Sequence, residues 1–224
     1  AAIHGQGAFR NFKSVLRKYR LEQAQWFTYE EEQLRQRVLL WLEMEDIKPT
    51  NTFSVIEPGT PEPIRGKLIA EALRFTQLAR NVTGVEKIAL IGSLATEKPY
   101  PNDVDILVTI SEDADLETLA SYARRMAGHA QSFNSGADVF LADMQGEYLG
   151  RTCPWRECTP HKHARCDALH CGRRQYLHDD LNTIRLATTL IARPPVELWP
   201  DIVTRVPVPR DIELGLITPL RLGS

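Results

Sequence analysis

The stretch IGSLATEKPYPNDVDILVTI, residues 91–110, sets a Gly-Ser pair ahead of two aspartates separated by one residue, Asp103 and Asp105. On a strand, residues two apart project from the same face. Both carboxylates then point one way, while Val104 and Ile106 point the other. Two like charges at that separation repel, and one takes up a proton unless a cation lies between them. Mg²⁺ prefers oxygen ligands and keeps waters and phosphate oxygens as the remainder of its shell, so a D-x-D pair at a strand start suits it. Asp138, in ADVFL, is a polar residue inside another expected strand. It completes a three-carboxylate site if that strand runs beside 103–110. Asp143, at a strand end, is the rival third ligand. Two Mg²⁺ ions held by such a cluster would activate an attacking oxygen and neutralise a leaving pyrophosphate. Gly92 lets the backbone come close to a phosphate, and the Ser93 hydroxyl and nearby amides can donate to its oxygens. Arg173 and Arg174 form a further pair able to reach a triphosphate. The residues alone define metal-assisted phosphate chemistry.

A second cluster lies downstream, in CPWRECTPHKHARCDALHC. All four cysteines fall between 153 and 171, as two pairs with four residues inside each: Cys153 with Cys158, and Cys166 with Cys171. Zn²⁺ takes four tetrahedral ligands, usually thiolate and imidazole. The four cysteines are the expected set, with His161, His163 and His170 as alternatives to any one of them. A closed site of this kind leaves no position for water, so the expected Zn²⁺ is structural and helps fold a short polar segment.

The elements that must position these residues follow from periodicity. Phe9, Phe12, Leu16 and Tyr19 recur at helical spacing in 8–26, with Arg10, Lys13, Arg17 and Arg20 on a neighbouring face. Thr28 and Glu31 have capping-box spacing, and Leu34, Val38 and Leu42 follow every fourth residue, so a second helix is expected after Thr28. Residues 46–66 are proline-rich and read as a connection. A helix is expected from Ile64 to Arg80, with Ile64, Leu68, Ala72, Phe75 and Ala79 on one side. Strands follow at 86–92 and 103–110, a helix at 113–130 and a strand at 136–143. The C-terminal part mixes β-branched residues with chain breakers and gives no clear element.

The chain has 224 residues, 43% hydrophobic and 25% charged, with a formal net charge of −2. These values suit a globular protein and give the whole molecule no strong pull toward nucleic acid. No apolar run is long enough to span a bilayer. The first residues lack the apolar core of a signal peptide. A cytoplasmic setting without membrane is therefore expected, with reduced cysteines. Oligomeric state is not legible. Three regions are expected: N-terminal helices and linker over 1–62, a core over 63–150, and a zinc-binding segment with C-terminal extension over 151–224.

Gly92-Ser93, DVD at 103–105 and ADV at 137–139 together resemble the nucleotidyltransferase superfamily that includes DNA polymerase β, and within it the minimal nucleotidyltransferases. Nine residues separate Ser93 from Asp103, where the family more often has ten, which reads as a shortened loop. The resemblance covers about residues 64–145. It implies an α+β fold with a mixed sheet flanked by helices. It also implies transfer of a nucleoside monophosphate from an NTP, ATP being the expected donor, with release of pyrophosphate. Asp103 and Asp105 would bind the metals, Asp138 would help deprotonate the acceptor, and Gly92 and Ser93 would hold the triphosphate. RNA (tRNA included), a partner protein or a small molecule such as an antibiotic would be the acceptor. The resemblance also implies a toxin–antitoxin setting. Two other readings compete. One is an inactive nucleotidyltransferase-fold module that binds RNA or protein and is stabilised by zinc. The other is a glycosyltransferase using its D-x-D on a nucleotide diphosphate, which the scarcity of strands before the motif disfavours.

Overall fold

The computed structural model describes residues 12, 15, 16, 19–44, 64–159, 166, 171, 174–178 and 186–223. The chain divides into two units, Ala1–Pro61 and Glu62–Ser224.

Among the described residues of the first unit, Phe12, Val15 and Leu16 are helical, and a helix, α1, runs Arg20–Met44. It passes straight through Thr28, where a new helix was expected to start. The segment around Thr28 is rich in Glu, Gln, Leu and Arg and holds neither Gly nor Pro, so one threonine at a few tenths of a kcal/mol does not interrupt it. The ring of Phe12 meets Trp26 edge-on at 4.7 Å. Leu34 and Val38 share a helical spacing but are 63% and 45% exposed. The expected basic stripe falls on side chains outside the described residues.

The second unit is an α+β domain built on one mixed sheet. Helix α2 (Ile64–Ala79) leads into β1 (Val85–Ile91). After a 3₁₀ turn at Ser93–Ala95 comes β2 (Asp103–Ile110). Helix α3 (Leu116–Ser132) starts at Asp115, whose carboxylate accepts from the Thr118 amide. It carries the chain across to β3 (Gly136–Ala142), which lies parallel to β2; parallel neighbours require such a crossover. Four strands that the sequence did not announce complete the sheet: β4 (Tyr148–Thr152), β5 (Leu177–His178), β6 (Val196–Trp199) and β7 (Val203–Thr204). Their order is β5-β4-β3-β2-β1-β6-β7. A short helix α4 (Thr188–Ala192) precedes β6. The chain closes with α5 (Arg210–Ile212), a π-helical turn at Glu213–Ile217, and α6 (Thr218–Leu222). The expected boundary at residue 150 falls inside β4, and later residues supply three strands of the same sheet.

Alternation sorts the two faces. Ile88, Leu90, Val104, Ile106, Val108, Ile110, Val139 and Leu141 pack against Leu68, Ala72 and Phe75 of α2, Leu119 and Met126 of α3, and Leu216 and Leu220 of the C-terminal helices. The opposite face holds a smaller cluster of Ile91, Leu107, Phe140, Ala142 and Ile191. Asp103, Asp105 and Asp138 belong to this second face by strand period. Among the described residues no helix is long and apolar enough to cross a membrane.

Gly128 sits inside α3, and a Cβ built there meets nothing within 4 Å. It borders a cleft of about 270 Å³ between α3, β3 and the residues leaving β4. An interior helical glycine costs roughly 1 kcal/mol relative to alanine. Gly128→Ala should therefore raise stability by about 0.5–1 kcal/mol, read as a higher denaturant midpoint with an unchanged slope. A lower midpoint would mean that the cleft is filled in solution.

Candidate active site

Register places the three carboxylates. Asp105 is directly opposite Asp138 in the parallel β2–β3 pair, and Asp103 is opposite Gly136. Neighbouring strands lie about 4.8 Å apart, and same-face residues along a strand about 7 Å apart. The structure thus brings the three expected residues to one patch, at the N-terminal ends of two parallel strands. The electrostatics follow from this crowding. Burial first, then the charges of Asp103 and Asp138, push the Asp105 carboxyl up from 3.8 to about 7, with Arg151 opposing as the smallest of the four causes.

Arg151 is the neighbour of the patch that sequence reasoning missed. It lies on β4 opposite Phe140, and its Nη1 donates to Asp138 Oδ1 at 2.9 Å. The third carboxylate therefore has a guanidinium on one oxygen. This changes the electrostatic account, since part of the compensating charge comes from the protein. It does not complete the compensation, because Asp105 stays raised despite Arg151. The only hint in the sequence was a cation within a short segment, YLGRT, that a glycine disguises as a loop.

The Gly-Ser pair packs on the same carboxylates. Ile91, the last residue of β1, is opposite Asp105, so Gly92 passes directly over it. Gly92 has φ +72°, and a Cβ there would lie 2.1 Å from Asp105 Oδ2. Only glycine fits this place. Ser93 Oγ is buried with no hydrogen-bond partner among the described residues, and a buried hydroxyl in that state costs about 1–3 kcal/mol. The Ser93 carbonyl, by contrast, accepts from the Thr96 hydroxyl at 2.8 Å and the Thr96 amide at 3.2 Å. The hydroxyl is thus the unsatisfied group of a turn whose Ser93 carbonyl is bonded twice.

Other expected residues lie elsewhere. Arg174 donates to the carbonyls of Ser111 and Ala114 at 3.3 and 3.0 Å. Ser111 is eight positions beyond Asp103, or about 26 Å along a strand, so Arg174 anchors the start of α3 and is not brought to the aspartates. Asp143 caps the β3–β4 turn, accepting on Oδ1 from the Gln145 and Glu147 amides at 2.9 and 2.8 Å. Arg173, His161, His163 and His170 lie outside the described residues.

None of the four cysteines is in a disulfide. Burial raises the Cys153 thiol to about 11, and Cys158, Cys166 and Cys171 each push it further in that direction, so the four sulfurs share one neighbourhood. The Tyr176 amide donates to Cys158 Sγ at 3.1 Å, and Cys171 Sγ lies 3.9 Å from His178 Nδ1. Arg124 of α3 donates to the carbonyls of Cys153 and Trp155, tying this segment to the domain. Among the described residues, no three His, Cys, Asp or Glu side chains are already gathered as a metal site. That holds for the aspartates and for the cysteines. What suits a metal is the donor chemistry: carboxylates on one patch, where burial first and mutual charge second raise Asp105, and thiols, of which Cys153 is raised chiefly by burial.

The second unit thus defines an α+β domain with a carboxylate patch under a glycine-serine turn. Residues 1–61 match the model of an uncharacterised protein family, UPF0158. That match is confined to the first unit and does not include the carboxylates. No curated protein and no solved structure matches the chain.

Proposed function

We propose that residues 62–224 form a metal-dependent nucleotidyltransferase of the polymerase β-like type, moving a nucleoside monophosphate from an NTP to an acceptor and releasing pyrophosphate. The observation that carries this reading is the register of Asp105 against Asp138, on one face with Asp103, in a field that holds the Asp105 carboxyl at about 7. Mg²⁺ bound there, as two ions, would supply charge neutralisation for the triphosphate and lower the pKa of the acceptor hydroxyl. Asp103 and Asp105 would hold it. Gly92 and Ser93 would cradle the phosphates, Ser93 Oγ donating to one oxygen. Asp138 would accept the acceptor's proton. The acceptor oxygen bonds to the α-phosphorus, and the bond to the bridging oxygen breaks with its electrons leaving on pyrophosphate. ATP is the proposed donor. The proposed acceptors are RNA, including tRNA, a partner protein in a toxin–antitoxin pair, or an aminoglycoside-like small molecule, in the cytoplasm. A screen of four NTPs against these acceptors, read as pyrophosphate release, tests the reading. Release that needs Mg²⁺ and an acceptor supports it, and silence across the matrix overturns it.

The Arg151–Asp138 bond favours a second reading, an inactive module in which that pair is structural. Nucleic-acid or protein binding that is indifferent to Asp103→Ala and Asp105→Ala, without transfer, would select it.

The four cysteines are proposed to bind one structural Zn²⁺. Elemental analysis of the purified chain should give about one zinc per chain, and a strong chelator should unravel the segment around Cys153–Cys171. Less than about half a zinc per chain would remove the site.

A further inference from the structure

The turn that presents Ser93 is held from behind by one side chain. Arg65, in the first turn of α2, donates from Nη1 to the Lys98 carbonyl at 2.9 Å and from Nη2 to the Leu94 carbonyl at 3.1 Å. Its Nε and Nη2 also bond the two oxygens of Asp211. Asp211 is fixed in turn by the Ile212 amide, which donates to its Oδ1 at 2.9 Å. The Arg65 side chain is only 11% exposed. One planar fork therefore joins the start of α2, both ends of the 94–98 segment, and the start of α5. A trans peptide is planar, with C=O and N–H pointing in opposite senses. Turning the Leu94 carbonyl onto Arg65 therefore turns the Ala95 N–H away from it.

We propose that Arg65 is the positioning residue of the triphosphate turn: its guanidinium, bonded to the Leu94 and Lys98 carbonyls and to the Asp211 carboxylate, sets the orientation in which Ser93 and the Ala95 amide meet the phosphates. This rests on reading the turn as a phosphate cradle. Lysine cannot replace the fork, because an ammonium lacks the planar, divergent donors that serve three partners at once. The role concerns substrate binding more than the chemical step, since the bonds of Arg65 described above go to Asp211 and two carbonyls, not to Asp103, Asp105 or Asp138.

The test uses the full chain as Arg65→Lys, Arg65→Ala and, as a control of similar anchoring character, Arg80→Ala. Arg80 donates to the Gly223 carbonyl at 2.9 Å and lies over the Trp199 ring, away from the turn. Initial rates at varied Mg·ATP should show KM raised about tenfold or more in both Arg65 variants with kcat changed less than about threefold. Arg80→Ala should lower the melting temperature and leave KM alone. Amide exchange of the 94–98 segment without nucleotide should accelerate in Arg65→Lys, while β1 amides stay protected. KM within about twofold of wild type in Arg65→Lys, or an equal rise in Arg80→Ala, overturns the assignment and leaves the transferase reading standing. A wild-type chain that neither binds nor turns over Mg·ATP overturns the transferase reading itself; faster exchange in Arg65→Lys would then show a structural clamp with no phosphate to position.

Discussion

Asp105→Asn should abolish nucleotidyl transfer and, above pH 7 without Mg²⁺, give a more stable protein than the wild type. The activity loss is expected at about a thousandfold or more, the scale on which loss of a member of a catalytic unit registers. The stability gain follows from the sign of the Asp105 shift. Its carboxyl titrates near 7 in the fold against 3.8 for the free group, so the folded state binds the proton more tightly than the unfolded state. The stability associated with that proton is fully present below about pH 4 and is lost as pH rises to about 7. Three pKa units correspond to about 4 kcal/mol at most. Asp105 keeps partial solvent access, so screening reduces this to roughly 1–3 kcal/mol. Asn carries no charge and escapes the loss. Melting curves at pH 5 and pH 8 check this: the variant's advantage should appear at pH 8 and shrink at pH 5. Added Mg²⁺ should raise the wild-type curve at pH 8 by mass action and leave the variant nearly unmoved. An Asn variant that is less stable than wild type at pH 8 would show that Asp105 is already compensated within the protein.

Gly92→Ala should have the second-largest effect. The new methyl would overlap Asp105 Oδ2 at 2.1 Å and Cγ at 2.9 Å, and the backbone would have to keep φ +72° with a side chain present. A left-handed φ costs an L-residue roughly 1–2 kcal/mol. With the overlap, a loss of about 2–4 kcal/mol is expected. Relief requires Asp105 or the turn to shift by about an ångström, which costs on the order of a hundredfold in a reaction that depends on alignment. In an Asp105→Ala background much of the overlap is gone. The stability cost of Gly92→Ala should therefore fall by about 1 kcal/mol or more, a coupling that a double-mutant cycle reads directly. Additive effects would mean that the turn and the aspartate do not touch.

The part of the site carried by regular periodicity was legible. Val104, Ile106 and Val108 alternate with Asp103 and Asp105, and that alternation placed both carboxylates on the face away from α2 and α3. Asp138 was legible for the same reason. Leu116, Leu119, Ala120 and Ala123 marked the inner side of α3, and all four are buried. The edges of the sheet were not legible. Strands β5 and β7 have two residues each, too few to show a period, and β4 carries a glycine at its centre. Capping-box spacing at Thr28 suggested a helix start where none occurs, because the local propensity on both sides is helical. Arg65 and Asp211 lie 146 residues apart, and Arg151 meets Asp138 only through the β3–β4 turn. Such pairs are set by topology, which side-chain type alone does not encode. Arg174 shows the converse: its charge suggested a phosphate, and the fold spends it on two carbonyls of the β2–α3 connection.

Mn²⁺ titration followed by electron paramagnetic resonance, at pH 8 with a non-hydrolysable ATP analogue, puts the question to the carboxylate patch itself. Wild-type chain should bind Mn²⁺, with analogue and metal each tightening the other, and Asp103→Asn and Asp105→Asn should lose that binding. Equal Mn²⁺ binding in the wild type and both variants, or none in any of them, would contradict the assignment of these side chains as the site where divalent ions and triphosphate meet.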